Sequence, residues 1–183
     1  MGYRRLPVNG LLSSAMAQST CKMFTMFVYG TLQKGQPNHA VMSDTKNGVA
    51  KYKGRGLTAK KYPLVIASDF NIPFLLFKEG HGKNIQGEIY EVDEQMLATL
   101  DELEGHPIFY ERDLTPIDVT QSDNQLSAQT DCWCYFLKKY KPKMLDLPYL
   151  DRYDSQGDHG LKYVERCDRL DVTYSAKNDV YQQ

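Results

Sequence analysis

The stretch Met26-Phe27-Val28-Tyr29-Gly30-Thr31-Leu32 decides the fold, because it combines the end of a buried strand with the loop that follows. Residues 27–29 carry the aromatic and β-branched side chains that favour a pleated, buried strand. Gly30 is predicted to stop that strand where the backbone needs freedom in φ. The N–H groups of residues 30–32 can then point in one direction and hold a carboxylate or an oxyanion. An ordinary strand followed by a glycine turn is the alternative that this stretch leaves open.

Length and composition indicate one globular domain. The chain has 183 residues, which suits a single compact domain with short extensions. Its net charge is -1, from 22 basic and 23 acidic side chains without a dense basic cluster, which argues against nucleic acid as a partner. No apolar run approaches the length of a membrane span, so we expect a soluble protein that binds no membrane. The 13 tyrosines favour strands and half-buried pocket walls.

The cysteines indicate a reducing compartment, and we expect a cytoplasmic protein. Cys21, Cys132, Cys134 and Cys167 are few for this length and lack CxxC spacing. Cys132 and Cys134 alternate in a predicted strand, so their side chains share one face and could start a metal site. The four histidines are scattered without ligand spacing, so we expect neither a metal nor a disulfide.

The domain itself is predicted to span residues 23–163. Residues 1–22 contain two arginines and no acidic residue, which is compatible with a transit peptide or with an upstream extension. We favour the extension and expect it to be disordered. The tail at 164–183 lacks periodicity and is expected to be mobile. We expect a monomer.

Short strands dominate the hydrophobic pattern, and only one long helix is predicted. That helix spans Glu94–Glu104 and has Asp93 as its cap; Asn38 is predicted to cap a shorter helix over 40–42. Gly87 marks a bulge or a close backbone approach. The pattern predicts an α+β fold, a small mostly antiparallel β-barrel with flanking short helices. Strands are predicted from residue 24 and at 49–52, 55–60, 64–67, 74–77, 84–92, 109–119 and 128–137.

Glu104 is an acidic residue on the apolar face of this helix. At about 100° per residue, Glu104 falls between Leu97 and Leu100. One interpretation is that it swings into water at the helix end before Gly105. The other is that it lies in an apolar pocket, where burial raises its pKa so that it can take up and return a proton. Tyr110 is predicted to wall that pocket, whereas Arg112 beside it would wall the pocket or merely cover the sheet.

Several motifs, taken in order, resemble the γ-glutamylcyclotransferase-like superfamily. These are VYGTL at 28–32, GEIY with VD at 87–93, and LDELEG at 100–105. Further tracts are similar to the γ-glutamylaminecyclotransferases within it, namely QPNH at 36–39, YPLVI at 62–66 with NIP at 71–73, and YDSQG with HGL at 153–161. The resemblance covers about residues 24–163.

The resemblance implies a cofactor-free enzyme that converts γ-glutamyl-ε-lysine to 5-oxoproline and lysine. It gives Glu104 the catalytic role. In a γ-glutamyl amide the substrate's own α-amine can attack the γ-carbonyl, so the protein must supply a bent pose, a base, an acid and oxyanion donors. The loop amides could hold the substrate carboxylate or the developing oxyanion. Substrate-binding positions of the family fall on Tyr29, Gly30, Thr31 and Leu32.

Two alternatives to this function stay open. The first is a cyclotransferase for γ-glutamyl α-amino acids or glutathione, but the branches with that activity usually carry Tyr-Gly-Ser, and Thr31 argues against them. The second is a non-catalytic member of the fold that binds γ-glutamyl ligands or a protein. Glu104 argues against it, because an idle carboxylate on an apolar face would only cost stability.

Overall fold

The structure is a computed structural model that describes residues 22–122, 126–169 and 175–182. These residues form seven strands and three α-helices, together with short 3₁₀ turns. In chain order they are β1 (Met23–Val28), α1 (His39–Ser43), β2 (Ala50–Thr58), β3 (Leu64–Ala67), β4 (Ile72–Leu75), β5 (Gln86–Asp93), α2 (Glu94–Glu104), β6 (Glu111–Ser122), β7 (Gln129–Phe136) and α3 (Ala176–Val180).

Five strands close into a barrel in the order β1-β5-β2-β6-β7. Four of the pairings are antiparallel, and a parallel contact between Met26 of β1 and Trp133 of β7 closes the circle. Strands β3 and β4 form a separate antiparallel pair. The predicted α+β fold with a small, mostly antiparallel barrel is confirmed.

Strand β2 corrects the sequence prediction of two strands parted by glycines. It is one nine-residue strand, and its register with β5 shifts between Tyr52 and Gly54. Gly54 lies where a Cβ would stand 2.0 Å from the carbonyl oxygen of Gln121. The glycines therefore mark bulges, which bend a strand without ending it. Gly87 pairs in register with Gly56, and a Cβ on it would stand 2.5 Å from the Phe27 ring, so it marks a close approach.

Helix α2 has the predicted bounds, and both of its ends are capped as expected. The Asp93 carboxylate accepts a hydrogen bond of 2.8 Å from the Met96 amide, and Gly105 adopts the left-handed conformation at φ 65°. Met96, Leu97 and Leu100 are buried. The apolar face predicted from the sequence packs against β1 and β5.

Two apolar clusters lie on opposite faces of the barrel wall. Side chains of β1 and β5 such as Met26 and Tyr90 join α2 in one cluster, while Phe27 and Ile89 face the other way into the second. Cys132 and Cys134 are fully buried in this second cluster. Among the described residues, no group of three or more His, Cys, Asp or Glu side chains is placed to hold a metal ion.

The predictions of a disordered N-terminal extension and a mobile C-terminal tail stay open. The predicted extension at 1–22 lies outside the described residues except for Lys22. In the tail, Val180 of α3 is buried in the cluster around α2, and Tyr181 donates a hydrogen bond of 2.9 Å to the Ile108 carbonyl. Mobility of 164–183 stays a prediction. No helix in the described ranges is long and apolar enough to span a membrane.

Candidate active site

A cavity of about 530 Å³ opens where β1 ends and α2 ends. Its wall includes all six residues that the sequence placed at a site. These residues are Tyr29, Gly30, Thr31, Leu32, Glu104 and Tyr110. The structure thus brings them together, while their individual roles stay predictions.

Gln33 holds the first half of the loop after β1. Its side-chain amide donates a hydrogen bond of 2.8 Å to the Tyr29 carbonyl, and its backbone N–H donates one of 3.2 Å to the Gly30 carbonyl. Because a trans peptide points its carbonyl and the following N–H in opposite directions, the N–H groups of Gly30 and Thr31 point away from Gln33.

Asn38 and His39 hold the second half of the loop. The Asn38 N–H donates a hydrogen bond of 2.9 Å to the Thr31 carbonyl, and His39 Nδ1 lies 3.0 Å from the Leu32 carbonyl, which requires the proton on Nδ1. By the same peptide geometry, the Leu32 N–H points away from Asn38. The loop is therefore fixed through its carbonyl oxygens, and the anion nest of residues 30–32 stays a prediction.

Gly30 is needed for space, and the predicted need for freedom in φ is wrong. Its φ lies outside the left-handed region, and a Cβ at this position would stand 3.1 Å from Cγ of Pro73. A larger residue would push the loop away from the β3–β4 pair or displace the proline. The constraint comes from tertiary packing, which the local sequence did not show.

The Asn38 side chain supports the loop, whereas the sequence predicted that it caps α1. It stands at the N-cap position, but its side chain makes no capping hydrogen bond. Its amide instead donates to Thr31 Oγ1 at 3.0 Å and to the Tyr163 hydroxyl at 3.3 Å. Thr31 Oγ1 accepts there, so its own hydroxyl proton can be donated to a group in the cavity.

Glu104 lies in the last turn of α2 and is half-buried rather than extended into bulk water. Burial raises the pKa of Tyr110 well above its usual value, and the negative charge of Glu104 raises it further. Burial likewise raises the pKa of Tyr135, with its hydrogen bond to Asp101 and the charge of Glu104 adding to the shift. Both phenols line the cavity and stay protonated at neutral pH. Tyr110 donates its proton to the Pro73 carbonyl at 3.3 Å, and Tyr135 donates its proton to Asp101.

Asp101 and Arg112 brace the turn that carries Glu104. Arg112 donates hydrogen bonds of 2.7 and 2.9 Å to the two carboxylate oxygens of Asp101, and the Tyr135 hydroxyl donates one of 2.6 Å. Partial burial acts to raise the pKa of Asp101, but the hydrogen bonds from Arg112 and Tyr135 outweigh it and hold the pKa below its usual value. Arg112 itself lies outside the cavity wall. The Tyr29 hydroxyl donates a hydrogen bond of 2.9 Å to the backbone carbonyl of the same Tyr135.

Residues near the C-terminus complete the cavity, and sequence reasoning missed them. The guanidinium of Arg169 lies 4.3 Å from the ring centroid of Phe70 and donates a hydrogen bond of 3.0 Å to the Tyr163 hydroxyl. Lys177 lies on the wall as well. Because this segment lacks apolar periodicity, the sequence carried no signal that it reaches a site.

The barrel topology, with Glu104 and the loop after β1 in the wall of one cavity, is that of a cyclotransferase-like protein. The chain belongs to the family described as gamma-glutamyl cyclotransferase, AIG2-like, whose model matches residues 26–158. A Mus musculus protein named gamma-glutamylaminecyclotransferase is 47% identical over 149 residues, which cover 80% of this chain and 100% of that protein. The Homo sapiens protein of that name is 40% identical over 153 residues, with coverages of 80% and 100%.

A solved structure agrees with this family assignment. The crystal structure of an AIG2-like protein from Mus musculus aligns with a TM-score of 0.76 at 47% identity, covering 80% of this chain and 99% of that one. The resemblance seen in the sequence motifs is confirmed.

Proposed function

We propose that this protein is a γ-glutamylamine cyclotransferase that converts γ-glutamyl-ε-lysine to 5-oxoproline and free lysine. The observation that carries the proposal is that Glu104 and the loop at 29–32 line one cavity. The names of the mouse and human relatives, each matched over its full length, support the substrate class. Lysine isopeptides left by transglutaminase crosslinks are the expected source of the substrate.

The cavity suits a small ligand held in a bent pose. Its volume of about 530 Å³ is typical of small-molecule sites. Aromatic side chains, among them Tyr29, Phe74 and Tyr110, form part of its wall. Folding the substrate brings its α-nitrogen onto the γ-carbonyl carbon, and such intramolecular alignment can lower a barrier by roughly 7–11 kcal/mol.

Ring closure begins with loss of a proton from the α-ammonium of the substrate. The Glu104 carboxylate takes that proton, and the freed nitrogen lone pair forms a bond to the γ-carbon. The carbonyl electron pair moves onto the oxygen, whose negative charge is stabilised by hydrogen-bond donors fixed in advance. The N–H groups of residues 30–32 and the Thr31 hydroxyl are such donors.

Collapse of this intermediate releases lysine. The bond between the γ-carbon and the lysine nitrogen breaks as protonated Glu104 gives its proton to the departing nitrogen, and the carbonyl re-forms in the five-membered lactam. Two protons move overall from the α-nitrogen to the lysine nitrogen, and one carboxyl group can carry them in turn. Glu104 ends as the carboxylate with which it began.

The test replaces Glu104 with glutamine, which keeps the shape but cannot accept the proton. We expect the release of 5-oxoproline to fall by about 10²- to 10⁴-fold, the contribution typical of a general base or acid. Glu94→Gln is the matched control, because Glu94 is exposed at the opposite end of the same helix. Full activity in Glu104→Gln would exclude the proton shuttle.

The substrate class is tested by comparing γ-glutamyl-ε-lysine with glutathione under identical conditions. We expect rapid release of 5-oxoproline from the first and slow release from the second. The opposite preference would move the protein to another branch of the family. Release from neither would exclude a cyclotransferase and favour a binding protein of the same fold.

The proposal includes the cytoplasmic location and the monomeric state expected from the sequence. Cys132, Cys134 and Cys167 are free thiols, which is typical of a reducing compartment. Fluorescence of the tagged full chain and sedimentation of the purified protein test the two points. Accumulation in an organelle, or sedimentation as a dimer, would overturn the corresponding part.

A further inference from the structure

Two basic side chains near the C-terminus, Arg169 and Lys177, line the cavity. Both lie beyond residues 26–158, which the family model matches. Neither takes part in the cyclisation steps described above. Their positive charges must therefore serve some purpose other than that of the proposed base and oxyanion donors.

Arg169 is held in place while part of its hydrogen-bonding capacity stays unused. Its Nε donates to the Val164 carbonyl at 3.2 Å, its Nη2 donates to the Tyr163 hydroxyl at 3.0 Å, and its plane lies over Phe70. A guanidinium has five N–H donors, so further donors stay available. Within the described ranges, no carboxylate forms an ion pair with Arg169.

Arg169 is also linked to the substrate loop through two side chains. The Tyr163 hydroxyl that receives its hydrogen bond also accepts one of 3.3 Å from Asn38. The same Asn38 amide binds Thr31 Oγ1 at 3.0 Å. The guanidinium therefore has a fixed position relative to the proposed oxyanion donors, which an ordinary surface arginine lacks.

Lys177 lies next to the end of α2. Its Nζ is 4.8 Å from the ring centroid of Phe109 and 3.5 Å from where a Cβ on Gly105 would stand. Among the residues described, no acidic group lies within ion-pair distance of Lys177. One cation is thus linked to the loop through Tyr163 and Asn38, and the other lies beside the residue that follows Glu104.

We propose that Arg169 and Lys177 form a basic rim that binds the α-carboxylate of the leaving amine. The rim would make the enzyme selective for γ-glutamyl groups attached to the side-chain amine of an amino acid over those attached to a simple diamine. This inference rests on the proposed function. Arginine suits the role because its planar donors match a carboxylate in a bidentate fashion.

The lysine part of the substrate carries a carboxylate and an ammonium group, and the rim must bind the first in the presence of the second. Its carboxylate lies four methylene carbons and the α-carbon away from the bond that breaks, so it can reach the edge of the cavity while its nitrogen is beside Glu104. The α-ammonium on the same carbon would be repelled by the two cations. Glu102 lines the same cavity and is exposed, so it offers a negative partner to that ammonium.

The experiment compares γ-glutamyl-ε-lysine with γ-glutamylcadaverine, which differs from it only by lacking the carboxylate. The full chain is assayed as wild type, R169Q, K177Q and the double variant, following 5-oxoproline. We expect the wild type to favour the lysine compound by at least about 10-fold in kcat/KM, as one charge-assisted hydrogen bond would give. Each single variant should shrink that ratio, mainly by raising KM for the lysine compound, and the double variant should bring it close to one.

Two controls keep a structural effect apart from recognition. Lys139 is exposed and lies outside the cavity wall, so K139Q should leave the wild-type ratio unchanged. Lys177 is exposed, so K177Q still tests the rim if R169Q disturbs the packing on Phe70. Equal turnover of the two compounds by the wild type, or variants that lower both equally, would overturn the rim and leave the proposed function standing. Turnover of neither compound by the wild type would overturn both.

Discussion

Replacing Arg112 with methionine should lower the free energy of unfolding by about 2–3 kcal/mol. Arg112 and Asp101 form a bidentate pair at 2.7 and 2.9 Å, with side-chain exposures of 19% and 23%. Hydrogen bonds to charged groups contribute about 1.5–3 kcal/mol, and removing one partner of a fully buried pair costs about 3–5 kcal/mol. Partial exposure keeps this pair below the fully buried case and in the upper part of the first range, and Asp101 keeps its hydrogen bond from Tyr135.

Lys60 and Glu79 provide a matched control on the surface. Their charges lie 2.8 Å apart, close to the distance in the Arg112–Asp101 pair, but the exposures are 48% and 51%. Lys60→Met should therefore cost less than about 1 kcal/mol. Urea denaturation of both variants measures how much burial and bidentate geometry add to the stability that an ion pair contributes. A double-mutant cycle of Arg112→Met with Asp101→Asn measures the interaction free energy between the two side chains. Equal costs for the two methionine variants, or no coupling in the cycle, would refute the reasoning.

The same pair predicts a pH dependence of stability. The pKa of Asp101 is lowered in the folded state, whereas an unfolded aspartate titrates at about 3.9. The stabilisation is therefore fully present above the unfolded pKa and is lost as the pH falls through the folded value. The difference between wild type and Arg112→Met should stay constant from about pH 8 to 5 and shrink below about pH 4. A difference that persists unchanged at pH 3 would contradict this account.

Two further predictions concern the close approach in the barrel and the loop. Gly87→Ala should lower the free energy of unfolding by about 3 kcal/mol, because its Cβ would stand 2.5 Å from the Phe27 ring and from the Val28 carbonyl. Gly30→Ala should lower it by about 1 kcal/mol, because its Cβ would stand 3.1 Å from Pro73. Thermal unfolding that ranks the two variants equally would contradict this. Asn38→Ala should lower kcat/KM by up to about 100-fold by loosening Thr31, with unchanged helicity in circular dichroism since the side chain does not cap α1. Full activity in that variant would show that the loop keeps its position without Asn38.

Helix α2 could be predicted from the sequence because every signal that defines it is local. Asp93, the apolar spacing and Gly105 all lie within thirteen consecutive residues, and each acts on its own neighbours. Strand β2 could not be predicted as one strand, because a glycine in a bulge and a glycine in a turn have the same local pattern. Only the pairing of Gly54 with its partner strands distinguishes them.

The candidate site likewise has residues that could be predicted from local sequence and residues that could not. Glu104 and the loop at 29–32 could be found because one stands out on a helical wheel and the other follows an obvious strand. The hydrogen bonds by which Gln33, Asn38 and His39 hold this loop could not be found, because they depend on the direction in which each loop carbonyl points. The brace on the last turn of α2 could not be found either, because Asp101 lies on the helix and its partner Arg112 is supplied by another element.

The length of α2 accounts for the position of the glutamate. Met23 pairs with Asp93, so the helix begins beside the first residue of β1, and over eleven residues it advances about 16 Å. From Met23 to Gly30 the chain covers roughly 23 Å, or about 18 Å along a barrel whose strands tilt by 35–45°. A helix that runs back along β1 would therefore bring its last turn level with the loop, and the two do line one cavity. Leu100 shares the face of Glu104 but lies about 6 Å further back, so a carboxylate there would stop short of the loop.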